Sequence, residues 1–179
     1  MRIGLILVLV VVVLISAIQY KGIRKDLAAE RGEINAAWTQ VEAALDERAG
    51  IVPDLVRLAD AEVPEESATT RGVSAKREAL RTAHGVQPKI DANARLDEAI
   101  ARLMLCIENY PKVDRSKPYN AILEQLKEAD YHIALARRKY NEAVERYNTR
   151  IALFPNNVVA SLAHFGKIDA YFLTVPGAP

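Results

Sequence analysis

Apolar residues in this chain recur at intervals of three, four and seven, the spacing of one face of an α-helix. The first stripe runs through Ile23, Leu27, Ile34, Trp38, Val41, Leu45 and Val52. Only Gly22, Gly32 and Gly50 weaken it locally. Pro53 falls inside the pattern, which resumes at Leu55, Val56 and Leu58, so a kink rather than a stop is expected there. Val63-Pro64 ends the segment. A helix over about residues 3–62 would be roughly 90 Å long. A second, weaker helix is expected over Glu65–Ala83, with Val73 and Leu80 inward, acids at its start, and Arg77 and Arg81 near its end. Gly85-Val86-Gln87-Pro88 reads as a linker. A third helix spans about Asp91–Tyr110 on the stripe Leu96, Ile100, Leu103, Ile107 and Tyr110, and Pro111 stops it. Lys112–Lys117 is a polar connection, and Pro118 suits the first turn of the next helix.

That fourth helix carries the clearest pattern. Ile122, Leu126, Ala129, Ile133, Ala136, Tyr140, Ala143, Tyr147, Ile151 and Phe154 keep heptad order over ten positions, which implies left-handed bundle packing. Pro155-Asn156-Asn157 ends it. No alternating strand pattern follows residue 20. The expected fold class is therefore all-α, an antiparallel bundle of three to four long helices.

The N-terminus has a different character. Ile3 to Ile18 contains no charge, with Arg2 before it and Tyr20 and Lys21 after it. About 20 apolar residues span a bilayer, with roughly 17 as the lower limit. Residues 1–20 are thus expected to form a transmembrane anchor continuous with the first helix. A cleaved signal peptide is the rival reading. It suffers from a single basic side chain, Arg2, and from the poor cleavage site Ile15-Ser16-Ala17-Ile18. No cysteine follows the run, which removes a lipoprotein anchor. Lys21, Arg24, Lys25 and Arg31 on the C-terminal flank outweigh Arg2, placing the soluble domain in the cytoplasm by the positive-inside tendency. Residues 21–155 form the helical domain and 156–179 an aromatic C-terminal tail.

Composition narrows the chemistry. Acids and bases balance, 23 against 24, for a formal charge of +1, so no basic face argues for nucleic acid. The one cysteine, Cys106, excludes a disulfide framework and sits where a buried structural residue is expected. His84, His132 and His164 have no histidine or cysteine three or four positions away, so no helical metal pair arises. Glu65-Glu66 and Glu124-Glu128 lie among basic residues and read as solvated faces. No phosphate-binding glycine loop occurs. No catalytic residue, metal, cofactor or small-molecule substrate is expected, and the chain is read as a non-enzyme.

Two Tyr-Asn pairs stand out. Tyr140 and Tyr147 are seven apart, as are Asn141 and Asn148, so each set shares a helix face. In one reading the tyrosines are core knobs and the asparagines fix helix register. In the other, Arg137, Arg138 and Asn141 form a docking face for another protein. Phe165, Tyr171 and Phe172 make the tail a candidate binding segment, either folded back on the bundle or held out for a partner or a membrane.

The segment Ala136-Arg137-Arg138-Lys139-Tyr140-Asn141-Glu142-Ala143-Val144, then Tyr147-Asn148-Thr149-Arg150-Ile151 and Phe154-Pro155, resembles the signature of the LemA family. Ala37-Trp38, Gln40-Val41, Ile51-Val52-Pro53-Asp54-Leu55-Val56 and Glu108-Asn109-Tyr110-Pro111 are similar to other family stretches. Asp130-Tyr131 departs from the family pattern, and the Leu58–Ser67 region lacks an expected aromatic residue. The resemblance implies a bacterial, single-pass inner-membrane protein with a helical bundle and no assigned reaction. A scaffold or adaptor for membrane or envelope proteins fits these features. A self-assembling, membrane-shaping protein forming homo-oligomers is the alternative.

Overall fold

The computed structural model describes residues 2–169, apart from the side chains at positions 2, 3, 5, 6 and 8. Among the described residues every regular element is helical: α1 (Arg2–Glu62), a 3-10 turn (Pro64–Glu66), α2 (Ser67–Thr82), α3 (Val86–Glu108), α4 (Pro111–Asp114), α5 (Lys117–Ala152) and α6 (Asn156–Leu162). Pro53 is absorbed within α1, as the resumed stripe requires. Two boundaries differ from expectation. α3 begins at Val86 rather than near Asp91, because Gly85 adopts φ 92°, a left-handed conformation that side chains resist. Pro88 then falls in the first turn, where its missing N–H has no intrahelical partner to lose. The connection after Pro111 contains the short α4.

The chain divides into two compact units. In the second, residues 38–139, α2, α3 and the adjoining stretches of α1 and α5 form an up-down-up-down bundle. Side-chain links fix the directions. Arg77 Nε donates to the Ala49 carbonyl at 2.6 Å, and Thr70 Oγ1 to Asp60 at 2.5 Å, so α2 runs against α1. Lys89–Glu42 and Arg48–Asp97 set α3 parallel to α1. His132 Nδ1 lies 3.1 Å from Glu47 and Arg48 Nε 3.2 Å from Asp130, so α5 runs antiparallel to α1. The stripes converge on a core of Val41, Leu45, Val52, Leu55, Leu96, Leu103, Ile107 and Leu126.

The first unit comprises residues 2–37 and 140–169. Here α1 and α5 run antiparallel, with Leu27, Ile34, Tyr140, Val144 and Tyr147 buried between them. Arg146 pairs with Glu33 at 2.6 Å, and Arg150 reaches both Glu30 at 2.7 Å and Asp26 at 2.9 Å. The α5 stripe holds from Leu126 to Tyr147, but Ile122 and Ile151 are half-buried and Phe154 is 82% exposed.

The run Ile3–Ile18 is helical within α1, and Leu7, Leu14, Ile15 and Ile18 are exposed on it. Among the described residues no helix is long and apolar enough to cross a membrane. Of the tail, Asn156–Leu162 is helical and residues 165–169 carry no regular element; Tyr171 and Phe172 lie outside the described residues.

Candidate functional site

The second Tyr-Asn pair grips the chain's own C-terminal segment. α6 ends at Leu162, and His164 takes φ 57°. Phe165 N then donates to the Ala160 carbonyl at 2.8 Å and His164 N to Ser161 at 3.4 Å, a helix stop of the kind usually made with glycine. This reversal sends the main chain back along α5. Tyr147 Oη donates to the Gly166 carbonyl at 3.1 Å. From the next residue, Asn148 Nδ2 donates to the Ile168 carbonyl at 2.7 Å, while Ile168 N donates to Asn148 Oδ1 at 2.9 Å. The carboxamide thus pairs with one residue's main chain from both sides, as a neighbouring strand would. Phe165 lies beneath Arg31 of α1, whose guanidinium carbon is 5.7 Å from the ring centroid. Burial raises the Tyr147 hydroxyl pKa, which keeps it a donor toward Gly166.

Tyr147, Asn148 and Phe165 are therefore brought together. Asn148 fixes the returning segment through Ile168. Tyr140 is a core side chain of the first unit and Asn141 is half-buried there. Arg137 and Arg138 belong to the second unit. Arg138 is exposed, whereas Arg137 turns toward α3, with Nη2 3.9 Å from Asp97 and its pKa lowered by burial. The Arg137 guanidinium thus joins an internal charge cluster.

That cluster centres on Arg48, only 6% exposed. Its Nη1 donates to Asp97 and lies 3.4 Å from Asn93 Oδ1, and its Nε is 3.2 Å from Asp130. Asn93 Nδ2 donates to Asp97 at 3.1 Å. Arg48, Asp97, Asp130 and Arg137 border a cavity of about 390 Å³ in the second unit, otherwise walled by apolar residues including Ile100, Met104 and Ile133. Two cations face two carboxylates, so the cavity has no charge imbalance to draw an ion. No nucleophile lines it either. Glu30 and Arg48 were missed as core residues, yet the pattern marked them. The α1 stripe skips seven residues at Leu27–Ile34 and Leu45–Val52, and these two charges occupy the skipped positions.

Cys106 is half-buried, not core. Burial, then Glu66 beside it, pushes its thiol pKa up, the opposite of nucleophile activation. His132 meets Glu47 on the surface and His164 forms the turn after α6.

These features define a class: all-helical bundle proteins whose last long helix binds its own returning C-terminal segment. The chain matches the LemA family over residues 37–177 and belongs to it. It is also similar to magnetosome proteins MamQ 1 and MamQ 2 of Paramagnetospirillum magneticum, each 30% identical over 92 residues, 51% of this chain and 34% of theirs. Magnetosome protein MamQ of Magnetospirillum gryphiswaldense is 28% identical over 87 residues, 49% of this chain and 32% of its own. The chain thus spans about a third of the length of the curated relatives it matches.

Proposed function

We propose that this chain is a non-enzymatic, single-pass membrane protein that serves as a scaffold for another membrane or envelope protein. The observation that carries the proposal is the two-way pairing of Asn148 with Ile168, which holds the chain immediately before the apolar and aromatic residues Ala170–Leu173. A side chain that fixes main chain in this way gives the following residues a fixed origin for contact with a partner.

The membrane part rests on Ile3–Ile18. Nine large apolar side chains from Leu7 to Ile18 are exposed on α1. Taking them out of water is worth on the order of 10 kcal/mol, at about 1–2 kcal/mol each. Ser16 Oγ donates to the Val12 carbonyl at 2.9 Å, so this hydroxyl is satisfied within its own helix, as hydrocarbon demands. The basic flank Lys21, Arg24 and Lys25 supports a cytoplasmic domain on a bacterial inner membrane.

Self-assembly is the second reading. Tyr131 and Leu135, exposed one turn apart on α5, offer an apolar surface for another copy. The test compares proteins recovered with the full-length chain and with a chain ending at Asp169, both extracted gently from membranes. Loss of a stoichiometric partner on truncation supports the scaffold, and unchanged recovery removes the tail from it. A homo-oligomer disrupted by Tyr131→Glu would favour self-assembly instead.

A further inference from the structure

Leu153, Phe154, Val158 and Leu162 leave an apolar surface exposed where α5 turns into α6. Phe154 is the anomaly, since it holds the last position of the α5 stripe and faces outward. The ion pairs locate it. Arg146 meets Glu33, and Arg150 meets Glu30 and Asp26, so each turn forward along α5 is a turn back along α1. α5 ends at Ala152, and Phe154 follows it on the Asp26 side of these pairs, toward the end of α1 that carries Ile18. The chain comes back to the level of Arg31 and Tyr147 only at Phe165 and Gly166. The corner thus closes the end of the helix pair from which the apolar run departs.

The charge at this level is also suited to a bilayer surface. Lys21, Arg24 and Lys25 are exposed on α1, while Asp26 and Glu30 are engaged by Arg150. An apolar surface on the same helix pair as exposed basic side chains seats at the boundary between headgroups and acyl chains. Tyr20 marks the same boundary. We propose that the α5–α6 corner is a second membrane contact, in which Leu153, Phe154, Val158 and Leu162 enter the interfacial layer of an anionic bilayer beside the helix that leaves it. This rests on the reading of Ile3–Ile18 as the span. The contact fixes the tilt of the first unit and sets the origin of the tail at the membrane surface.

The test uses the full chain in vesicles of phosphatidylethanolamine and phosphatidylglycerol. Trp38→Phe removes the one native tryptophan, and Phe154→Trp or Val11→Trp supplies a reporter. Both sites are exposed on the protein, so neither substitution disturbs packing. Phe154→Trp should emit at short wavelength and be quenched several-fold more by lipids brominated near the glycerol than near the chain ends. Val11→Trp should show the reverse preference. Lipid quenching of Val11→Trp alongside a Phe154→Trp open to iodide would overturn the corner contact and leave the span intact. A blue-shifted Phe154→Trp without lipid quenching would also overturn it, because protein would then cover the corner. Absence of lipid quenching at both sites would sink the span and the contact together.

Discussion

Replacing Asn148 by alanine removes both hydrogen bonds to Ile168, at 2.7 and 2.9 Å, without touching the α5 backbone. Ile168 is half-buried, so its freed N–H and C=O rehydrate when the segment lifts away. The loss is then the net worth of two hydrogen bonds, about 0.5–1.5 kcal/mol each, not a desolvation penalty. Docking weakens by about 1–3 kcal/mol, and since 1.4 kcal/mol is tenfold, the lifted population rises roughly 5- to 150-fold. Among the described residues the Tyr147–Gly166 hydrogen bond and the Arg31–Phe165 contact also hold the segment. Each is worth about 1 kcal/mol or less, too little to compensate. Lys167 lies inside the docked segment with its side chain 64% exposed, so trypsin reads the lifted state there. Cleavage that is slow relative to reclosing tracks that population. Cutting after Lys167 should accelerate at least fivefold in Asn148→Ala, while the helical circular dichroism melt barely moves. Asn148→Asp keeps an acceptor for Ile168 N but sets a carboxylate against the Ile168 carbonyl, so it should release the segment as fully. An unchanged cleavage rate in both variants would refute the clamp.

Arg48→Ala leaves Asn93 and Asp97 facing a low-dielectric gap. Because the Asp97 and Asp130 side chains are 39% and 58% exposed, the cost falls below that of a sealed ion pair, at about 2–4 kcal/mol, read by thermal or urea unfolding. Tyr147→Phe should loosen the tail by about 1 kcal/mol, less than Asn148→Ala in the same trypsin assay. The folded-state pKa of Tyr147 lies above the ordinary tyrosine value. Its contribution is therefore complete below about pH 10 and is lost as pH rises through the folded value, so alkaline release of the tail should flatten in Tyr147→Phe. His164→Val should lower hydrogen-exchange protection across α6 by about 1–2 kcal/mol, since a branched side chain resists φ 57°, whereas His164→Gly should keep or raise it.

The helices were legible because their stripes are long. Leu96 to Ile107 and Leu126 to Tyr147 are buried as heptad order requires. Pro118 was legible at the start of α5 because the first turn has no use for its N–H. The start of α3 was not, because Gly-Val-Gln-Pro reads as turn chemistry until Gly85 is known to supply the reversal and Pro88 the first turn. The Tyr-Asn pairs were visible as a pattern, but their partner was not. Asn148 binds main chain 20 residues on, and main chain has no sequence signature. Phe154 keeps the heptad spacing after α5 itself has ended at Ala152, so periodicity placed inside a residue that geometry turns outward. The Arg137–Asp97 pairing was hidden for the complementary reason: a basic residue on a helix looks solvated until acids elsewhere in the bundle are placed beside it.

The most direct test of the scaffold is the mass of the full-length protein, extracted gently from its own membrane, with its co-purifying proteins identified. A scaffold is recovered as this chain together with one stoichiometric second protein that dissociates from Asn148→Ala. A homogeneous homo-oligomer, or a bare monomer indifferent to Asn148, would contradict it.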